Sequence, residues 1–510
     1  VGVEPSIAGD LWRGLDAKSA TGLLAKIDRP SRSPTLHALW RRLMTDTTGP
    51  TATEIAALRA AALLRAGLVA EAATVVQGAA GRWPTDAAAG VLAARIGIAA
   101  GDATRGCAPV KSVLGRKSEL AKPQRAEALA LSGYCAAVAG NPSGAGLAAE
   151  LMREERHDDA GLLAVLDAAA SGGAGPVRLA DGFGPLHYRL AMLAGGVQDL
   201  GRIERADPAG VAMVAADPAA PPALRVIAAE AAARLDTLPP SGLAEVYRAA
   251  AVSTSNGEAA PSPQPAPALV RAAAFRTAEV ERTPLKKVRA IRSLLDDARR
   301  AGLYWQTLAM VAPVEAVLQP VPEIGWFAES GIEIALVAGN VERARQWAAL
   351  GGAVPGDGGL RHWLPLIDLV DPSLRGERGR SLASVEALAV RGRLSAELLH
   401  RLATVLDAND IAVPIPLWEA TSRAAQPTGG HLPDTGVLTE LKDAAAKSEH
   451  ARVVLLAMRT IGPGGADAAN VIALGDVIRA LRRAGLDADA RRLSLEALFA
   501  QWPRGAIDRG

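Results

Sequence analysis

Long Ala-rich apolar runs broken by single glycines give this chain its clearest pattern. Gly67, Gly140, Gly339 and Gly485 each separate two such runs. Each is followed five positions later by a small residue: Ala72, Ala145, Ala344 and Ala490. Gly101 repeats the arrangement with Gly106 in the small position. The step from Gly67 to Gly101 is 34 residues, from Gly101 to Gly140 it is 39, and from Gly302 to Gly339 it is 37. A glycine in the left-handed conformation ends one helix and lets the chain reverse. A small side chain one turn into the next helix then lets the two backbones approach closely. Neither helix can bury its apolar face alone, so neighbouring hairpins are expected to stack. The pattern predicts an all-α fold of antiparallel helical hairpins.

Prolines punctuate this pattern. Residues 252–268 read VSTSNGEAAPSPQPAPA, with Pro261, Pro263, Pro265 and Pro267 alternating. Alternating prolines remove backbone donors and fix φ, so this stretch is read as a loop or linker. It divides the chain into an N-terminal half, 1–251, and a C-terminal half, 269–510. Shorter breaks fall at Ser171–Pro176, Gly351–Gly359 and Ala424–Gly436, and Asp207-Pro208, Asp217-Pro218 and Pro221-Pro222 bracket a short helix expected to start near Val211. These breaks leave little room for strands.

Composition narrows the class further. Of the 510 residues 49% are hydrophobic yet only 3% aromatic, and Ala supplies about a fifth. Ala is the strongest helix former and a poor strand former, which excludes an all-β protein and argues against disorder over most of the length. The net charge of +2 argues against a dedicated nucleic-acid binder, including a helical-repeat RNA binder, which should carry basic repeats. No run approaches the roughly 18 apolar residues of a membrane span; the uncharged stretch Ala128–Gly140 is too short.

The 51–84 stretch resembles a tetratricopeptide (TPR) repeat. Gly67 falls at the inter-helix turn, Ala72 and Ala79 at the small positions of the second helix, and Pro84 at the closing proline. Gly485, Ala490 and Ala497 recur at the same offsets, with Pro503 one residue later, and the pairs Trp83-Pro84 and Trp502-Pro503 correspond. The large aromatics expected early in each first helix are mostly replaced by Ala or Leu. The clearest repeats lie within 51–155, with similar hairpins near 290–350 and 470–503. The resemblance implies an α-solenoid of TPR type whose first helices line a concave face. Carried over residue by residue, the outward positions are Glu54, Leu64, Arg65, Arg95, Ile98, Glu127 and Tyr134, then Trp326, Glu329, Glu333, Arg479, Arg482 and Arg483. Arginines in such a groove hold peptide carboxylates by paired hydrogen bonds.

The two cysteines, Cys107 and Cys135, fall on this register early in one second helix and late in the next first helix, nearly equidistant from the turn at 121–123. Two readings stand open: a pair of small buried hydrophobes, or a disulfide. A bridge would imply an oxidising compartment.

Catalytic and metal chemistry find little support in the residues. None of the seven histidines stands in HExxH or a Cys/His zinc spacing. The run His157-Asp158-Asp159 reads as a solvated helix end, His362-Trp363 as local packing, and Asp296-Asp297 as a charged face. The glycines between Gly351 and Gly359 lack the strand–loop–helix setting of a phosphate cradle. Ser143 lacks the GxSxG elbow. No nucleophile–base pair or cofactor site is nominated.

The expectation is a non-catalytic scaffold that binds other proteins or peptides and assists assembly or positioning of a bacterial envelope complex. Its alternative is the helical body of an enzyme, of the kind some peptidoglycan-lytic enzymes carry. The start at Val1 and the cysteine pair favour a periplasmic location over a cytoplasmic one.

Overall fold

The computed structural model describes residues 11–27, 31–155, 159–172, 175–198, 203–255, 266–351, 359–374 and 379–505. His157, Asp158, residues 256–265 of the Pro-rich stretch and most of the Gly351–Gly359 loop lie outside them. Among the described residues the chain is all-helical: α-helices joined by short 3-10 turns, with no strand and two isolated bridges, Val177–Val197 and His431–Ala469.

The predicted turns share one hydrogen-bond pattern. At Gly67 (φ +86°) the glycine N–H donates to Leu64 O at 3.0 Å, and the next N–H, of Leu68, reaches back to Leu63 O at 2.9 Å. This is the Schellman closure, which satisfies two carbonyls left open at a helix end. The same pair of bonds closes the helices before Gly101, Gly140, Gly302, Gly339, Gly392 and Gly485. At all of these turns but Gly392, the residue after the glycine starts the next helix in one of two ways. Asp102, Asn141 and Asn340 accept from the backbone N–H three residues on, as N-caps do. Leu68, Leu303 and Leu486 are instead buried. The small residues five positions on, Ala72, Ala145, Ala344 and Ala490, are fully buried.

The chain divides into two compact units: residues 52–272, and residues 1–51 together with 273–510. The units do not follow the halves 1–251 and 269–510, because the first 51 residues belong with the C-terminal part. Residues 252–255 and 267–268, expected to be part of the loop, belong to helices Pro240–Ser255 and Pro267–Val280. The short helix expected near Val211 is Pro208–Ala216, capped by Asp207 with Pro208 in its first turn.

Unit 52–272 is built from Ala-rich hairpins: Ala56–Arg65 with Val69–Gly78, Ala87–Ala99 with Ala103–Cys107, and Lys122–Val138 with Pro142–Glu154. In the other unit, helices Ala17–Leu24 and Pro34–Thr45 pack on His450–Ile461, and Pro34–Thr45 also packs on Asp487–Phe499. The buried Glu496 carboxylate accepts from Ser33 Oγ at 2.5 Å, from Thr35 Oγ1 at 2.5 Å and from the Thr35 N–H at 2.7 Å. The scarce aromatics concentrate in this unit. Trp363 lies against Phe499 and Trp502, and Phe327 stands edge-on to Trp347. A Cβ on Gly331 would lie 2.5 Å from the Trp347 ring, so glycine makes room for that indole.

Gly67 and Gly140 separate two costs of substitution. At both, a side chain must occupy left-handed space, at roughly 1–2 kcal/mol. A Cβ at Gly67 would also stand 2.6 Å from the Pro208 carbonyl oxygen, whereas nothing lies within 4 Å of one at Gly140. Gly67→Ala is therefore expected to lower the melting temperature well beyond Gly140→Ala in parallel calorimetry. Equal shifts would contradict the close approach at Pro208.

Candidate binding surface

The outward positions carried over from the TPR register scatter between surface and interior. Arg65 and Glu54 are exposed, and Arg95 pairs with Glu127 at 2.7 Å. Leu64, Ile98 and Tyr134 are buried, which corrects their reading as contact positions. Each residue turns a helix by about 100°, so a shift of one or two positions in register exchanges an outward side chain for an inward one.

The C-terminal group divides likewise. Trp326 is 52% exposed, with its neighbour Phe327 buried beneath it. Glu329 turns inward, accepting from Trp363 Nε1 at 3.2 Å and the Gly505 N–H at 3.0 Å. Glu333 is buried, accepting from Tyr304 Oη at 2.5 Å and Arg504 Nε at 2.6 Å. These two acids hold the helix Ala328–Val337 in place, so neither belongs to a partner-facing surface. Arg479 is tied to Asp407 and Asp476. Arg482 donates to the Ala408 carbonyl and pairs with Asp410. Only Arg483 of that trio lies exposed without serving the 407–410 turn.

Cys107 and Cys135 form a disulfide, with Cα atoms 5.7 Å apart at a sequence separation of 28. Its setting explains its use. The helix Ala103–Cys107 has five residues and buries only Gly106. It meets the preceding helix through bare backbone: a Cβ on Gly97 would stand 2.6 Å from the Gly106 nitrogen. With almost no apolar side chain to anchor it, this segment is fastened to helix Lys122–Val138 covalently. The companion second helices bury more, as with Ala145, Ala148, Ala149 and Met152 in Pro142–Glu154.

The sequence reading treats charged residues as solvated and so misses a set of buried carboxylates. Glu230 accepts from Tyr247 Oη at 2.8 Å and from both Nε and Nη2 of Arg271. Glu315 accepts from Arg343 and from Trp347 Nε1. Donors occupy these acids, so they act as anchors between helices and not as general bases. Asp296 and Asp297 do lie on a charged face, paired with Arg292 and Arg300. His362 is buried, its Nε2 3.1 Å from the Pro503 carbonyl. Among the described residues no group of three or more His, Cys, Asp or Glu side chains is placed to hold a metal ion. No described helix is long and apolar enough to cross a membrane.

An open apolar surface lies on and beside the helix Ile415–Arg423. Helix Ile415–Arg423 buries only Leu417 and Thr421, a single i,i+4 seam. Ile415 is left 73% exposed and Trp418 61% exposed. Beside it runs a groove of about 420 Å³ lined by Ala389, Val390, Leu399, Ile415, Pro416 and Ala420, with Glu419 and Arg423 also at its edge. Val390 is also largely exposed. The signal was present in the order Ile415, Leu417, Trp418. At about 100° per residue Leu417 points away from Ile415 and Trp418, so the three cannot all face one way.

No protein-family model, curated protein or solved structure matches the chain.

The four tyrosines of the chain offer a test of these interior arrangements. Burial pushes the phenols of Tyr134, Tyr188, Tyr247 and Tyr304 above their ordinary range, and the carboxylates of Asp217, Glu230 and Glu333 add to this for the last three. A phenol whose folded pKa lies above its unfolded one contributes stability in full below about pH 10, lost as pH rises through the folded value. Tyrosinate absorbance at 295 nm is therefore expected to lag that of a free phenol and to rise together with unfolding. Gradual titration of all four near pH 10, with the fold intact, would contradict their burial.

Proposed function

We propose that this chain is a non-catalytic interaction scaffold: a TPR-like α-solenoid of helical hairpins that binds other proteins and acts in an oxidising envelope compartment such as the periplasm. The observation that carries the reading is the exposed apolar face of helix Ile415–Arg423 and its groove. In a protein with few aromatics, a tryptophan held in solvent at 61% exposure is costly unless something covers it. Indole rings also concentrate binding energy at protein interfaces. The groove is apolar with a polar edge, the arrangement of a surface that receives an apolar segment of a partner.

The hairpin turns support the repeat reading. Among the described residues seven Schellman closures with glycine at the left-handed position recur, and four are followed by a buried alanine at the same offset. The Cys107–Cys135 bridge supports the compartment, because such a bond persists where thiols are not kept reduced.

Isolation from native cells after gentle cross-linking tests the reading. A reproducible protein partner is expected, retained by Arg483→Ala and lost by Trp418→Ala, with Trp326→Ala as the comparison for the other exposed indole. The same preparation, denatured without reductant, should show no free thiol. A partner indifferent to Trp418, or a detectable turnover by the purified chain, would contradict the scaffold.

A further inference from the structure

A second cavity, of about 370 Å³, lies in unit 1–51/273–510 at the C-terminal end of helix His450–Ile461. Its volume falls in the range of small-ligand sites. Ile27, Leu432, Val437 and Met458 give it apolar walls, and Lys26, Asp434 and Arg459 bring charge to it. The Arg459 side chain is only 10% exposed, while the acid it pairs with at 3.0 Å, Asp434, is 85% exposed. A nearly buried guanidinium thus has as its counter-ion a carboxylate standing almost wholly in water.

We infer that this cavity binds an apolar carboxylate, either a free aliphatic acid or the terminal residue of a peptide chain. The ligand carboxylate takes the place of Asp434 on Arg459, where a guanidinium offers two parallel N–H donors, and Lys26 adds a second positive charge. Its aliphatic part lies along Met458, Val437 and Leu432. Asp434 is easily displaced, because its carboxylate already stands 85% exposed to water and gives up little on leaving.

The end of a helix carries partial negative charge and would by itself repel an anion. Here two carbonyls at that end are already covered by side chains. His431 Nε2 donates to Arg459 O at 3.1 Å, and Ser31 Oγ donates to Gly462 O at 2.9 Å. His431 is held by its own backbone, which exchanges hydrogen bonds with Ala468 and Asn470. Its ring lies over Gly462, where a Cβ would come within 2.4 Å of His431 Cγ. Gly462 also has φ +78°, so glycine serves both the turn and the wall of the cavity.

The probes are N-acetyl-L-leucine and octanoate, with N-acetyl-L-leucinamide as the uncharged control, followed by saturation-transfer NMR on the full chain. Saturable binding of a carboxylate probe is expected, at least about ten-fold weaker for the amide and lost in Arg459→Gln. Binding of the leucine derivative alone marks a chain end as the source; binding of octanoate alone marks a free acid. Asp434→Ala, at a position too exposed to disturb folding, should tighten binding about two- to five-fold by removing the internal competitor. No binding of either probe, equal binding of acid and amide, binding retained in Arg459→Gln, or weaker binding by Asp434→Ala would each overturn the inference.

Discussion

The constraint on which this structure rests is the small size of alanine. An Ala side chain buries little apolar area, and at roughly 25 cal/mol per Å² each helix contributes modestly. Such helices gain stability by approaching closely, so that backbone and Cβ atoms of both make contact. Close approach requires small residues at the crossing and a turn that brings the second helix back at once. The fully buried Ala72, Ala145, Ala344 and Ala490 meet the first requirement, and the Schellman closures at the preceding glycines meet the second. At Gly97 and Gly106 the approach is so close that only glycine fits on either side.

Interfaces this lean need fastening, and two kinds are present. One is covalent: the Cys107–Cys135 bond holds a five-residue helix that buries no large side chain. The other is a set of buried, hydrogen-bonded carboxylates. Glu230, Glu315, Glu333 and Glu496 each accept from donors on neighbouring segments, and Glu496 ties residues 33–35 to the helix Asp487–Phe499. Removing one partner of such a cluster leaves a buried charge or donor uncompensated, a large cost compared with any single alanine contact. The acids therefore fix which segments meet, while the apolar surface supplies the stabilisation.

Much of the fold was legible in the sequence, because turn glycines and the offset to the small residue are local features. The glycine at each turn, the small residue behind it and the absence of strands among the described residues follow from backbone sterics within one hairpin. What depends on pairing between distant segments was not legible. Nothing local to residues 1–51 shows that they pack with the C-terminal part, and nothing near Glu496 marks it as the cap of residues 33–35. The binding face shared this limit. Glu329 and Glu333 turn inward to serve Trp363 and Arg504, which register alone does not locate, and Tyr134 is buried. Trp418 was open to discovery, since at about 100° per residue Ile415 and Trp418 share one face of helix Ile415–Arg423 and Leu417 lies on another.

The scaffold account comes down to whether the Trp418 face is covered in the cell. A photo-cross-linking amino acid placed at position 418, and in a parallel strain at the exposed Arg153 position in the other unit, puts that question directly. The account predicts a discrete protein adduct from position 418, absent from position 153. No adduct from 418, or the same adducts from both positions, would contradict it.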